Sequence, residues 1–77
     1  MTDSIEAPRK VEPPDPAKAR AIREEYGWSR RRMADALRVD TSSLVRWERG
    51  VMRPTGRRLD DWATLLDRMA RGLDRSA

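Results

Sequence analysis

The chain has 77 residues and a mass of 8.9 kDa, the size of one small domain. It contains no Cys and no His, which excludes disulfide bridges, thiolate or imidazole metal sites, Cys nucleophiles and Ser-His-Asp catalysis. The net charge is +4, and with 38% hydrophobic residues and no Phe the core must be thin, so association with a second chain or a ligand is expected.

The first 15 residues are predicted to form a flexible arm. This segment is rich in proline and has almost no apolar residues apart from Ile5 and Val11, so burial cannot offset the entropy lost on ordering. A plain disordered tail is the leading interpretation. The alternative is an arm whose basic Arg9 and Lys10 reach a DNA minor groove or a neighbouring phosphate.

Four helices are predicted after the arm, at residues 16–26, 30–37, 41–49 and 56–72, in a folded domain of residues 16–73 with a tail at 74–77. The first begins where Asp15, a capping side chain, precedes Pro16 at the first helical position. It ends at Gly27, because glycine adopts the left-handed conformation of a helix cap without strain. Its apolar face consists of Ala19, Ile22 and Tyr26.

The second and third helices are short. Ser29 caps the second, since its hydroxyl can accept a hydrogen bond from the first turn. Asp40 or Thr41 caps the third, and Gly50 stops it. The inner positions of the second helix are Met33, Ala34 and Leu37. Between these helices and elsewhere, no segment of period two is long enough for a strand, so the sequence predicts an all-α fold.

The fourth helix opens at Pro54 and Thr55 and carries the longest apolar stripe. The stripe has helical period and consists of Leu59, Trp62, Ala63, Leu66, Met69, Ala70 and Leu73. Trp28, Trp47 and Trp62 lie at helical core or helix-junction positions. We therefore favour packing roles for them over the alternative, a stacking platform for single-stranded nucleic acid.

Positive charge is concentrated in the middle of the chain. Residues 29–58 carry nine Arg against three acidic residues, a net charge of +6, whereas residues 1–28 and 59–77 each have a net charge of −1. Such a block is typical of a nucleic-acid-binding surface, with a merely solvated basic face as the alternative. Fifteen of the 17 basic residues are Arg, which favours bidentate recognition of phosphate and guanine, although a GC-rich genome gives the same bias.

The third helix has two faces of different chemistry. One face carries Thr41, Ser42, Val45, Arg46 and Arg49, at positions i, i+1, i+4, i+5 and i+8. The opposite face carries Leu44, Trp47 and Glu48, so the Glu48 carboxylate is drawn toward an apolar interior and requires a cation there. Short polar side chains followed by Arg are typical of a helix that enters a DNA major groove.

Residues 22–66 resemble the Cro/C1-type helix-turn-helix proteins, also called the XRE or lambda-repressor-like family. The matching residues are Ile22, Arg23, Gly27, Trp28, Ser29, Met33, Ala34, Leu37, Val39, Leu44, Trp47, Glu48, Arg49, Gly50, Pro54, Leu59, Trp62, Ala63 and Leu66. The most specific part is the spacing of Ala34, Val39 and the terminal Glu-x-Gly. Arg38 stands where these proteins usually have a left-handed glycine, at a cost of about 1 kcal/mol. The resemblance implies a small bundle of about four helices.

The resemblance also suggests a partner for Glu48. In this family an arginine late in the first helix often pairs with the glutamate that closes the recognition helix, and Arg23 occupies the corresponding place. We therefore expect a partly buried Arg23 and Glu48 ion pair that sets the angle of the third helix against the first. The alternative is a solvent-exposed Arg23 that pairs with Glu24 on the helix surface.

DNA contacts are expected from two sets of residues, by their position on the helices and, at the start of the second helix, by the resemblance. Base contacts are expected from Thr41, Ser42, Val45 and Arg46. Phosphate contacts are expected from Ser29, Arg30, Arg31, Ser43, Arg49 and Arg53. Arg46 is the candidate for bidentate contact with guanine, and Val45 for a thymine methyl group. Helix capping alone is the alternative for Thr41 and Ser42, and at least one arginine of the second helix should only face solvent.

A homodimer is expected because the fourth helix extends apolar surface beyond what three short helices can cover. The predicted seam consists of Leu65, Leu66, Met69 and Leu73. Packing of this helix against its copy would form a two-fold dimer. Its recognition helices would lie about 34 Å apart and read an inverted repeat in double-stranded DNA.

These expectations describe a sequence-specific DNA-binding transcriptional regulator, and we expect a small repressor of phage, mobile-element or operon-autoregulatory type. The rival interpretation is an antitoxin or other protein-interaction module in which DNA binding is secondary. No paired carboxylates, phosphate loop or activated nucleophile can be assembled, so no enzymatic activity is expected. We expect no cofactor, metal or small-molecule ligand. Without a signal peptide or an apolar run of about 18 residues, a cytoplasmic protein with no membrane contact is expected.

Overall fold

The structure is a computed structural model and describes residues 12–76. Within these residues the chain forms four α-helices. The helices are α1 (Pro16–Tyr26), α2 (Arg30–Leu37), α3 (Thr41–Glu48) and α4 (Gly56–Ser76). No strand occurs within residues 12–76, and the predicted all-α helix-turn-helix fold is confirmed. Residues 1–11 of the predicted arm lie outside the described residues. No helix between residues 12 and 76 has the length and apolar character needed to cross a membrane.

The first two helices begin at side-chain caps. The Asp15 carboxylate accepts a hydrogen bond of 3.0 Å from the backbone N–H of Lys18, and Pro16 occupies the first turn of α1. The Ser29 hydroxyl accepts a bond of 3.0 Å from the N–H of Arg32 at the start of α2. Each bond satisfies a backbone donor that the helix itself cannot pair, which fixes where α1 and α2 begin.

The turn between α2 and α3 depends on a left-handed residue that is not glycine. Arg38 has φ 60° and ψ 44°, and its backbone N–H bonds to the carbonyl oxygens of Ala34 and Asp35. A residue with a Cβ pays about 1 kcal/mol in this region. The tight turn nevertheless lets α3 cross directly against α2.

The last helix is longer than the sequence predicts. α4 continues to Ser76, four residues past the end predicted at residue 72, so residues 74–76 are helical and do not form a tail. Gly72 lies inside this helix and close to α1, where a Cβ at residue 72 would lie 3.2 Å from Cε1 of Tyr26. α3 ends at Glu48, one residue before the predicted end at residue 49, and Arg49 is its C-cap.

The core lies among all four helices: α1 packs on α4 and α3, and α2 packs on α3 and α4. Its buried apolar residues are Ala19, Met33, Ala34, Leu44, Trp47, Trp62, Leu66 and Met69. The rings of Trp47 and Trp62 join α3 to α4, with centroids 5.3 Å apart. Leu66 and Met69 are 4% and 1% exposed, so their side chains pack inside the core of the same chain and cannot line the predicted dimer seam. Leu65 and Leu73 are only half-buried.

Candidate nucleic-acid interface

The outer surface of α3 is held in place by the burial of its inner surface. Leu44 is completely buried and Trp47 is 3% exposed, so the helix is anchored from its middle to its end. The residues predicted to contact bases lie on the other side: Thr41, Ser42 and Arg46 are exposed, and Val45 is half-buried. α3 therefore presents a short polar and basic surface on a rigid support.

A buried ion pair fixes the end of α3 to α1. Arg23 Nε donates to Glu48 Oε2 at 2.6 Å, and Arg23 Nη2 donates to Glu48 Oε1 at 3.0 Å. The third nitrogen, Nη1, donates to the carbonyl oxygen of Trp28 at 2.8 Å. The two side chains are 6% and 1% exposed. This two-point geometry is the strongest form of ion pair, and it leaves little freedom in the angle between α1 and α3.

The charges around this pair act in a consistent direction. The hydrogen bonds that Arg23 donates to Glu48 raise the pKa of Arg23, and this effect exceeds the lowering caused by burial. Arg23 also lies 3.9 Å from Glu24, but that carboxylate is on the surface and accepts a bond of 3.0 Å from Arg20 Nε. The bond from Arg20 lowers the pKa of Glu24. Arg23 is therefore a buried partner of Glu48 and not the exposed helix-surface arginine of the alternative interpretation.

Arg30 has a contact that the sequence reasoning missed. Its Nε donates to Glu48 Oε1 at 3.3 Å, with the arginine side chain 36% exposed. One carboxylate thus serves two guanidinium groups and ties the start of α2 to the end of α3. From the sequence, a buried carboxylate is expected to accept more hydrogen bonds than one arginine supplies. That expectation does not identify Arg30 as the second donor.

The three consecutive arginines of α2 have three different environments. Arg30 is bound to Glu48, as described above. The Arg32 guanidinium lies 4.5 Å from the centre of the Trp28 ring, a cation–π contact. Tyr26 meets the same ring edge-on, at a centroid distance of 5.9 Å. Arg31 is exposed. Arg31 is thus a side chain that faces solvent, as expected of at least one of the three, while Arg30 and Arg32 make intramolecular contacts.

The residues predicted to contact phosphate fall into two groups. Ser29, Arg30 and Arg31 lie together at the start of α2. Ser43 and Arg53 line a groove of about 540 Å³ between the turn after α2 and the loop after α3. Arg49 is exposed at the end of α3 and lines neither feature. The predicted surface is therefore continuous with α3 at both of its ends.

Comparison with known proteins gives one finding. A protein-family model described as "Helix-turn-helix" matches residues 20–74, which is more than half of the chain and includes α2 and α3 completely. The matched residues also contain both members of the buried ion pair. Comparisons with curated proteins and with solved structures find no match.

Proposed function

Because this chain belongs to the Cro/C1-type helix-turn-helix family of DNA-binding transcription regulators, we propose that it is a sequence-specific repressor that acts as a homodimer on an inverted repeat. One observation supports the proposal most directly. The outer surface of α3 is exposed and basic, while its inner surface is buried and locked to α1 by Arg23 and Glu48. A base-reading helix needs this rigidity, because hydrogen bonds to base edges tolerate little displacement.

The proposed base contacts come from one side of α3. Thr41 and Ser42 are exposed in its first turn, where short hydroxyl side chains approach a base edge closely. Arg46 is exposed one turn later and has the length and fork geometry for O6 and N7 of guanine. Val45 is half-buried beside it and offers a methyl surface to thymine.

The proposed phosphate contacts flank this helix. Ser29 accepts a bond from a backbone N–H, and its own hydroxyl hydrogen is left to donate to a phosphate oxygen. Arg30 uses Nε on Glu48 and has its terminal nitrogens for phosphate, while exposed Arg31 can bind with its whole guanidinium. The second group comprises Ser43, Arg49 and Arg53. The positive end of the α2 dipole adds to the attraction.

The proposed dimer interface is smaller than the sequence suggests. With Leu66 and Met69 in the core, the residues of the predicted seam that can still meet a second subunit are the half-buried Leu65 and Leu73. Packing of the two copies of α4 about a two-fold axis would repeat the recognition surface about one DNA turn away. So small an apolar contact predicts weak association of the free chain and stronger association on DNA, where both subunits are held side by side.

Binding of another protein is the second candidate function. Val51 is 71% exposed and Met52 is 46% exposed, and both lie beside a groove of about 500 Å³ whose floor includes Trp47 and Trp62. Exposed apolar residues next to a groove are typical of contact surfaces for other proteins. This surface is what favours the antitoxin or interaction-module alternative.

Selection of bound duplexes from a random pool tests the primary proposal. The expected product is a palindrome with a fixed spacing between half-sites, because a two-fold dimer repeats its recognition helix at a fixed distance. An enriched motif without symmetry would contradict the proposed dimer but would still support sequence-specific DNA binding. No enriched motif at low salt would overturn sequence-specific DNA binding and leave the protein-binding alternative as the better explanation.

A further inference from the structure

Two adjoining grooves of about 540 and 660 Å³ lie beside the turn between α2 and α3. Arg38, Thr55 and Arg58 line both grooves, so these three residues form the ridge between them. Arg53 lines the first groove and Arg57 the second. This ridge is built from the end of α2 and the start of α4 and contains no residue of α3's base-reading surface.

We propose that Arg38 and Arg58 bind the phosphate backbone of the DNA duplex and form a backbone-binding ridge separate from the recognition helix. The inference rests on the proposed function, since it assumes that the ligand is DNA. It adds to that function a residue, Arg38, whose position in a tight turn would otherwise be assigned to folding alone.

The charge of the ridge fits a polyanion. Four exposed arginines surround it, and the acidic residues that line the same grooves are Asp40 and Asp61. Asp61 lies 4.0 Å from Arg57 Nε, and the Arg57 side chain is 92% exposed. The Asp61 carboxylate therefore neutralises little of the positive charge of Arg57. Guanidinium groups with an adjacent hydroxyl, here that of Thr55, are well suited to bind phosphate oxygens.

The backbone of Arg38 supplies the second argument. Arg38 is the one residue with a side chain that takes positive φ within residues 12–76, and glycine would take φ 60° without strain. Within the same residues the Arg38 side chain makes no hydrogen bond or ion pair, so it contributes no visible contact that offsets the strain. A strained residue whose side chain makes no hydrogen bond or ion pair among the described residues, and which lies on a basic ridge, fits a contact with the ligand.

The test compares Arg38→Gly, Arg38→Ala and Arg68→Ala with the wild type. Arg68 is an exposed arginine of α4 outside both grooves, so its removal controls for loss of one charge. The measurements are Tm and the Kd for the selected duplex and for a random duplex of equal length, across a range of salt concentrations. Circular dichroism verifies that each variant is folded.

The expected results have opposite signs for stability and binding. Arg38→Gly should raise Tm by about 4 °C, because the strain is removed. It should weaken binding to both duplexes by roughly fivefold, and the slope of log K against log salt should become shallower by about one. Arg38→Ala should show the same loss of binding without the gain in Tm, because alanine retains the strain. Arg68→Ala should change Kd by less than about twofold.

Three outcomes overturn the inference. If the wild type binds the selected duplex and Arg38→Gly binds it equally well, Arg38 makes no phosphate contact, and the proposed function stands. If Arg38→Gly weakens only the selected duplex, the residue reads sequence and not the backbone. If the wild type binds no duplex, the proposed function and this inference both fail.

Discussion

Arg23 and Glu48 meet as a parallel two-point ion pair across 25 residues of sequence, with 2.6 Å between Nε and Oε2 and 3.0 Å between Nη2 and Oε1. The pair joins the last turn of α1 to the last residue of α3 in the interior of the protein. Its main effect is on geometry: the exposed surface of α3 keeps one orientation because its buried end cannot rotate without breaking both bonds.

Removal of Arg23 should therefore be costly. Arg23→Ala leaves the Glu48 carboxylate buried with only the longer bond from Arg30, and we expect the free energy of unfolding to fall by about 3 kcal/mol. Urea denaturation at low temperature measures this change, since a domain of this size has little stability to lose. Replacement of both residues by Met should recover most of the loss, because no unpaired charge is then left inside.

Arg20 provides the matched control for that experiment. Like Arg23, it is an arginine of α1 bound to a carboxylate, here that of Glu24 at 3.0 Å. Both side chains of this pair are, however, about half exposed. Arg20→Ala should leave the free energy of unfolding nearly unchanged, because an ion pair exposed to solvent contributes little to stability. Similar losses in Arg20→Ala and Arg23→Ala would mean that burial of the Arg23 pair has no special effect on stability.

The same surface pair makes a prediction about pH. The hydrogen bond from Arg20 holds the pKa of Glu24 below its ordinary value of 4.5, so this pair stabilises the fold above that pH and loses its effect as the pH falls through the lowered pKa. Arg20→Gln should move the pKa of Glu24 back toward 4.5. NMR titration of the Glu24 side-chain carboxyl carbon measures it, and an unchanged midpoint in the variant would show that Arg20 is not the cause.

Much of the fold is encoded locally, and the parts that the sequence does not reveal depend on distant contacts. Caps such as Asp15 and Ser29 act within one helical turn, so the start of α1 and of α2 can be inferred from a few residues. The position of Glu48 on an apolar helix face likewise predicts a buried carboxylate. The second guanidinium on it, from Arg30, depends on the rotamer of a long side chain from another helix, which no periodicity specifies.

The predicted dimer seam shows the same limit for apolar residues. A stripe of helical period identifies which side of α4 is apolar, but it does not state what covers each residue. Leu66 and Met69 turn out to pack within the chain, while Leu65 and Leu73 lie at the edge of the stripe. Such a division depends on how α1 crosses α4, which is a property of tertiary packing.

The contact between Gly72 and Tyr26 can be tested with a double-mutant cycle. Gly72→Ala alone gains helix propensity, about 1 kcal/mol, but places a Cβ 3.2 Å from Cε1 of the Tyr26 ring. In a Tyr26→Ala background the same substitution meets no ring, so the full gain should appear. We expect the two substitutions to differ from additivity by about 0.5 to 1 kcal/mol in thermal denaturation. Strictly additive effects would show that the ring moves aside without cost.

The proposed contacts of Arg46 and Arg53 predict different kinds of loss. Arg46→Ala should cost about 1 to 3 kcal/mol on the selected duplex and relax the preference at one base pair. Arg53→Ala should weaken binding to all duplexes similarly and make the salt slope shallower by about one. Both residues are exposed, so Tm should not change in either variant. Equal losses on selected and random DNA for both variants would contradict this division of roles.

The dimer prediction depends on Leu73, because this half-buried residue can be changed without opening the core. Leu73→Lys places a charge at the two-fold seam, so the chain should remain folded but sediment as a monomer, with binding to the palindrome at least about tenfold weaker. Val51→Lys is the matched control, since it makes the same chemical change at an apolar residue that is 71% exposed in the loop before α4. Sedimentation equilibrium with and without the duplex separates the possibilities. If Val51→Lys abolishes dimers and Leu73→Lys does not, the subunits meet through the loop after α3, and α4 is not the seam.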